Sequence, residues 1–188
     1  MTDSFNISAT ASKSVFRLCF VLGLWLAFAA AALADIGRFA GTYTGAAEIV
    51  SADGSVRQRD MSVQISETKK GFTVAWSTTT HRDDGRSTEK SYEIEFVPSA
   101  RAGIFAAAMT RNVFGHLVQQ DPMKGEPYVW ARIIGDTLTV FSLFVNEEGG
   151  YELQQFDRTL TEGGLILNFS AILNGEERAG VQTLLVRR

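Results

Sequence analysis

Apolar and polar residues alternate along most of this chain, in short runs that turn residues separate. In the clearest run, Thr88–Val97, the side chains of Tyr92, Ile94 and Phe96 alternate with two glutamates. A period of two places successive side chains on opposite faces of a β-strand, so this run predicts one buried face and one solvated face. The runs that we interpret as strands are Gly37–Val50, Val56–Ser66, Phe72–Thr80, Thr88–Val97, Ile104–Met109, Tyr128–Ile133, Thr137–Val145, Tyr151–Thr159, Leu165–Leu173 and Arg178–Val186.

The connections between these runs are mostly short. Asp53-Gly54 is typical of a β-hairpin turn, and all three prolines fall between runs, as expected for a residue that cannot donate to a ladder. The pattern predicts an all-β fold, a single antiparallel up-and-down β-barrel of about 8–10 strands, because closure removes the edges of a meander. A β-sandwich is the alternative. The longer stretch Thr110–Pro127 predicts either a lid or an extra strand.

The N-terminus follows a different pattern. Lys13 and Arg17 precede an uncharged apolar run, residues 18–34, that ends in Ala32-Leu33-Ala34. A basic region, an apolar stretch and small residues at a cleavage site are typical of a secretory signal peptide. We therefore interpret residues 1–34 as a signal peptide and residues 35–188 as one β-barrel domain of an exported protein, periplasmic or secreted. An uncleaved membrane anchor is the alternative, although a spanning helix needs about 20 apolar residues.

Charge and cysteine content narrow the class of protein. The formal net charge is −3, and no basic stripe indicates a nucleic-acid partner. The single cysteine, Cys19, lies in the predicted signal peptide. Cleavage would therefore leave a domain without disulfides, thiol nucleophiles or cysteine metal ligands, and without a membrane span.

A short motif near the first strand resembles that of a known superfamily. Gly41-Thr42-Tyr43 is similar to the Gly-x-Trp signature of the calycins (lipocalins, avidins and fatty-acid-binding proteins), with Tyr43 in the place of tryptophan. No C-terminal Arg-x-Tyr pair like that of the fatty-acid-binding proteins is present. The resemblance covers three residues and implies a lipocalin-like barrel that binds a small molecule.

The sequence contains no evident catalytic constellation. There is no Gly-x-Ser-x-Gly motif, and of the two histidines His81 lies in a polar turn while His116 lies in a mixed stretch. Glu93 and Glu95 share a face, but the apolar side chains between and beside them predict that this face is solvated. We therefore predict no catalytic residue, no metal site and no cofactor.

Charged residues with inward parity are better candidates for a binding site. Arg57 and Arg59 have the parity of Met61 on the second strand, whereas Arg132 shares the parity of Trp130, so that Arg132 points inward only if this aromatic face does. A desolvated arginine needs an acid, a wet cavity or an anionic ligand. The residues that we predict to line a ligand site are Tyr43, Arg57, Arg59, Trp76, Tyr92, His116, Trp130 and Arg132.

Three functions fit these observations. The first is a non-catalytic exported binding protein that holds a small hydrophobic or anionic amphipathic ligand in a barrel cavity. The second is a structural or interaction module of the envelope with a barrel filled by side chains and a partner that the sequence does not identify. The third is a cavity enzyme of an isomerase or cyclase type, for which His116, Asp157 and Arg59 are the ionisable residues to examine.

Overall fold

The computed structural model describes residues 36–50, 56–82, 84–111 and 117–188. The predicted signal peptide, the Asp53-Gly54 turn and His116 lie outside the described residues. Within these ranges, no helix is long and apolar enough to cross a membrane.

The described part of the chain consists almost entirely of β-strands. The strands are β1 (Gly41–Val50), β2 (Val56–Glu67), β3 (Phe72–His81), β4 (Ser87–Pro98), β5 (Ile104–Ala107), β6 (Thr110–Arg111), β7 (Leu117–Val118), β8 (Tyr128–Ile134), β9 (Thr137–Val145), β10 (Tyr151–Thr161), β11 (Gly164–Leu173) and β12 (Glu176–Arg187). One short 3-10 helix covers Pro122–Lys124 and is capped by the side chain of Asp121. The stretch predicted to be a lid or an extra strand contains β6, β7 and this helix, and β6 pairs with β7 in a separate small sheet.

Ten of the strands form one closed antiparallel barrel. Their order around the barrel is β1-β12-β11-β10-β9-β8-β5-β4-β3-β2, so strands that follow one another in the chain are neighbours in the barrel. At the seam, Tyr43 pairs with Arg187 and Thr44 pairs with Val186. The predicted up-and-down barrel is thus confirmed, and the β-sandwich alternative is wrong because the first and last barrel strands pair and close a single sheet.

One end of the barrel is filled by side chains. Phe72 stacks on Phe96 with ring centres 5.2 Å apart and meets Phe105 edge to face at 5.0 Å. Ile36 and Phe39, which precede β1, are 1% and 0% exposed and belong to the same core. Because the chain enters β1 at this end, these two residues help to cover it, and we call it the closed end.

Burial decreases along the strands toward the opposite end. In β4, Phe96 is fully buried, Ile94 is partly buried and Tyr92 is 52% exposed, although all three share the inward face. Glu93 and Glu95 are exposed on the outer face, which confirms the predicted alternation. The barrel therefore has a solid core at its closed end and a more solvent-exposed interior at the other, which we call the open end.

Close packing of backbones at the closed end restricts one strand terminus to glycine. A Cβ on Gly164, the first residue of β11, would lie 2.1 Å from the carbonyl oxygen of Leu185. No side chain fits at that distance. Gly164 therefore allows β11 and β12 to approach each other at the closed end.

Candidate ligand cavity

Two neighbouring spaces, which share the lining residues Trp76 and Phe156, occupy the interior toward the open end. The deeper one, which we call the inner cavity, has a volume of about 90 Å³. Its apolar walls come from β2, β3 and β10 to β12. The apolar lining residues are Met61, Val63, Trp76, Phe156, Leu167, Phe169 and Val181.

The second space, the outer cavity, has a volume of about 600 Å³. Apolar and aromatic side chains dominate its lining, with a few polar groups such as Lys90, Ser142 and Glu152. Pro127, from the long connection before β8, also contributes to its wall. Since the lining residues of β3, β4, β9 and β10 are those of inward parity, this space is the interior of the barrel at its open end.

Trp76 and Phe156 border both cavities. Their ring centres are 5.7 Å apart, and each ring continues into a further aromatic contact. Trp76 stacks on Tyr92 at 5.2 Å, and Phe156 lies 4.8 Å from Phe169. The aromatic pair of Trp76 and Phe156 thus marks the boundary between the inner and outer cavities.

Arg158 lies at the inner cavity and is 1% exposed. It pairs in register with Leu138 and Leu167, both buried, so its side chain points inward. Its Nε and Nη1 atoms are buried and have no hydrogen-bond partner. The contacts that it does make are with rings, since its Cζ lies 5.7 Å from the ring centre of Trp76 and 5.5 Å from that of Phe156.

Burial lowers the pKa of Arg158 to about 10, with a smaller opposing effect from the charge of Asp157. The guanidinium therefore remains charged at neutral pH. Asp157 does not reach it, because adjacent residues of a strand point to opposite faces. On the outer face, Asp157 accepts hydrogen bonds from Thr139 at 2.6 Å and from Gln155 at 2.7 Å.

Arg59 lines the inner cavity together with Arg158. Its Nε donates a hydrogen bond to Oγ1 of Thr80 at 3.2 Å, and its side chain is partly buried. Arg57, two residues earlier on β2 and of the same parity, is exposed. The inward direction expected for Arg59 therefore brings it to the cavity, whereas Arg57 lies further toward the end of the strand.

The other predicted residues within the described ranges lie in the outer cavity, in the core of the closed end and on the outer face of the barrel. Trp76 and Tyr92 line the outer cavity. Tyr43 lies instead in the core of the closed end, 0% exposed, where its hydroxyl donates a hydrogen bond to the carbonyl oxygen of Phe39 at 2.8 Å. Burial raises the pKa of Tyr43, and the nearby charge of Arg187 partly offsets this. Tyr43 is therefore a structural part of the core rather than a wall of either cavity.

Trp130 and Arg132 lie on the outer face of the barrel, contrary to the inward direction that their inclusion in the predicted site requires. Trp130 stacks on Phe141 with ring centres 4.8 Å apart, and Cζ of Arg132 lies 5.2 Å from the same ring. The inward positions of β8 are held by small and medium residues such as Ala131, which pairs with Phe105 and is 0% exposed. Val129, Ala131 and Ile133 are the buried positions of β8, so the larger indole and guanidinium face outward.

Sequence reasoning missed Arg158. Its signal is the alternation in β10, where Arg158 has the parity of Phe156 and Leu160 and the opposite parity to Asp157. Arg59 was predicted to point inward from the same kind of alternation in β2. In the polar segment "YELQQFDRT", however, only one of the inward positions before Arg158 is apolar, so the inward face is less evident.

The surface of the barrel offers little further chemistry. His81 lies 2.7 Å from Asp60, with both side chains about half exposed or more. In the described ranges, no group of three or more His, Cys, Asp or Glu side chains is arranged to hold a metal ion. No model of a known protein family matches the chain, and no match was found among curated proteins.

Proposed function

We propose that the protein is an exported, non-catalytic binding protein that holds a small hydrophobic or amphipathic molecule inside its barrel. The observation that carries this proposal is the outer cavity, whose volume of about 600 Å³ falls in the range of about 300–1,000 Å³ typical of small-molecule sites. Apolar and aromatic walls with a few polar groups are also typical of such sites.

A calycin-like relationship and export belong to the same proposal. A closed up-and-down barrel is the architecture of lipocalins and streptavidin, and Gly41-Thr42-Tyr43 opens β1 at the closed end. Export follows from the basic, apolar and small-residue pattern of residues 1–34. Its compartment would then be the periplasm or the medium.

A pair of matched variants tests whether the interior holds the ligand. Ser142 lines the outer cavity, whereas Ser170 pairs with Gln155 on the outer face. The protein and the variants Ser142→Trp and Ser170→Trp are incubated with a lipid extract and examined by native mass spectrometry. We expect bound amphiphile on the wild type and on Ser170→Trp but not on Ser142→Trp, whose indole fills the cavity. A wild type that retains no small molecule would overturn the proposal.

One observation favours a second candidate, an interaction module of the cell envelope. Tyr128, Trp130 and Phe141 form a row of aromatic rings on the outer face, with neighbouring ring centres 5.8 Å and 4.8 Å apart. Aromatic residues are enriched in protein interfaces. If this row binds a partner, Trp130→Ser will abolish co-purification of a stoichiometric protein, and Ser142→Trp will leave it unchanged.

A further inference from the structure

We propose that Arg158 binds the carboxylate of an aliphatic amphiphile in the inner cavity, so that the head of the ligand lies deep in the barrel and its chain extends into the outer cavity. This inference rests on the proposed binding function. It adds the chemical class of the ligand and its direction in the barrel.

The buried guanidinium of Arg158 favours an anionic ligand. Arg158 is 1% exposed, and its Nε and Nη1 lack hydrogen-bond partners. Burial of a charge is costly unless the charge is paired, and buried donors without acceptors add to this cost. The adjacent carboxylate, Asp157, is directed to the outer face by Thr139 and Gln155. A hydrogen-bond acceptor on a ligand would therefore give the guanidinium the partner that the described residues of the protein do not provide.

The charge and size of the inner cavity favour a single small anion. Arg59 and Arg158 both line it, and none of the described lining residues is acidic. A volume of about 90 Å³ fits one small head group, since a water molecule in the liquid takes about 30 Å³. One fully buried arginine, with a second that is partly buried, suits a monoanion better than a doubly charged phosphate. A carboxylate is a planar monoanion that a guanidinium can bind through two parallel hydrogen bonds.

The rings that the two cavities share place the outer cavity next to Arg158. Trp76 and Phe156 border both spaces, so a ligand with its head at Arg158 would pass these two rings to place its chain in the outer cavity. The rings also contact Arg158 directly, at 5.7 Å and 5.5 Å. Such contacts hold the guanidinium in place without using its hydrogen-bond donors.

A purely structural role for Arg158 makes a different prediction. If its ring contacts served the fold, removal would destabilise the protein. If it serves a ligand, replacement by an apolar side chain of similar length removes an unpaired buried charge, so Arg158→Met unfolds at a higher urea concentration than the ligand-free wild type.

The experiment measures the affinities of two probes, dodecanoate and 1-dodecanol, by isothermal titration calorimetry at neutral pH. They share a chain and differ in the head group. We expect wild type to bind dodecanoate more tightly than dodecanol, and Arg158→Met to lose about 10- to 100-fold in affinity for dodecanoate alone. Arg59→Met should lose less, since its side chain is partly exposed. Arg101→Met, which removes an exposed charge at the closed end, serves as the control and should match wild type.

The outcomes separate the two proposals. If wild type binds both probes and Arg158→Met binds dodecanoate as tightly as wild type does, the carboxylate site is wrong and the binding function stands. If wild type binds neither probe, the binding function fails and this inference fails with it. Tighter binding of dodecyl phosphate than of dodecanoate would overturn the carboxylate assignment, and displacement by acetate at equal concentration would show that the site takes small anions without a chain.

A measurement on wild type alone covers the case in which Arg158→Met does not fold. Dodecanoate labelled with ¹³C at the carboxyl group is titrated while bound, and its chemical shift reports ionisation. A guanidinium partner favours the ionised form, so the bound carboxyl group should titrate at lower pH than in water. Titration at higher pH than in water would place the carboxyl group in an apolar environment away from Arg158 and overturn the inference.

Discussion

Arg158 lies against the ring of Trp76, with its Cζ 5.7 Å from the ring centre, inside the barrel and below the outer cavity. Trp130 lies on the outer surface and stacks on Phe141. The third tryptophan, Trp25, belongs to the predicted signal peptide. The two tryptophans of the barrel therefore report on different environments, one beside the proposed ligand and one facing solvent.

Ligand binding should consequently change the fluorescence of Trp76 and leave that of Trp130 unchanged. On addition of dodecanoate, Trp130→Phe is expected to keep the spectral change of the wild type, whereas Trp76→Phe loses it. The measurement is a fluorescence titration with excitation of tryptophan. A signal that follows Trp130 instead would indicate binding on the outer face.

Replacement of Arg158 by methionine should raise the free energy of unfolding of the ligand-free protein by about 1–3 kcal/mol, because a buried charge without a partner is removed. Urea denaturation monitored by circular dichroism measures the change. The exposed control Arg101→Met is expected to change stability by less than about 0.5 kcal/mol. A loss of stability in Arg158→Met would show that the ring contacts outweigh the cost of burial.

Tyr43→Phe should lower the free energy of unfolding by about 1–3 kcal/mol, since it leaves the buried carbonyl of Phe39 without its donor. The matched control is Tyr151→Phe, at a tyrosine that is 42% exposed. The same denaturation experiment applies, and equal effects in the two variants would contradict the role assigned to the Tyr43 hydroxyl.

The stabilising effect of the Tyr43 hydroxyl should disappear at high pH. Burial raises the pKa of Tyr43 in the folded protein above the unfolded value of 10.0, so the folded state retains a proton that the unfolded state releases. Stability from this group is complete below pH 10 and is lost as the pH rises through the folded pKa. The difference in unfolding free energy between wild type and Tyr43→Phe should therefore decrease above about pH 10.

Arg158 changes the free energy of unfolding in the opposite direction in the same pH range. Burial lowers its pKa from the ordinary arginine value to about 10, so the folded state releases a proton first and stability rises with pH above about 10. Because wild type and Tyr43→Phe both retain Arg158, their difference isolates the tyrosine. A difference that stays constant up to the highest usable pH would contradict the raised pKa of Tyr43.

Gly164→Ala should destabilise the barrel by about 1–3 kcal/mol, because its Cβ requires the backbone of Leu185 to move. Gly180 provides the control, since a Cβ there would meet nothing closer than 3.7 Å. Gly180→Ala is expected to be neutral or to stabilise by about 0.4–1 kcal/mol. Thermal unfolding of the two variants tests the comparison, and equal melting temperatures would contradict it.

Much of the fold could be predicted because alternation and turn residues act locally. The period of two in β4, with Phe96 inward and Glu95 outward, fixes which face is buried. Prolines such as Pro98 and Pro127 mark strand ends or connections for the same local reason. Closure of the barrel was predicted from the series of short connections between strands and not from any single residue.

The site was harder to predict because inward parity does not determine depth. Tyr43 and Tyr92 both have inward parity, yet one lies in the closed core and the other is 52% exposed at the open end. In β8, both faces carry apolar side chains, so alternation could not decide between Trp130 and Ala131. The neighbouring residues across the sheet determine which face of β8 is buried, and these neighbours are known only once the register of the strands is known.

Because the closed end is filled, a ligand inside the barrel can extend in only one direction. This direction determines how the affinity depends on the length of the ligand. With the closed end packed by Ile36 and Phe39 and the proposed charge at the bottom of the cavities, a bound chain can extend only toward the open end. At that end Tyr92 and Phe144, which line the outer cavity, are 52% and 40% exposed, so the cavity opens toward solvent. Affinity should thus rise with chain length until the outer cavity is full and then level off, so that the barrel would select its ligand by the head group and tolerate any tail longer than the cavity.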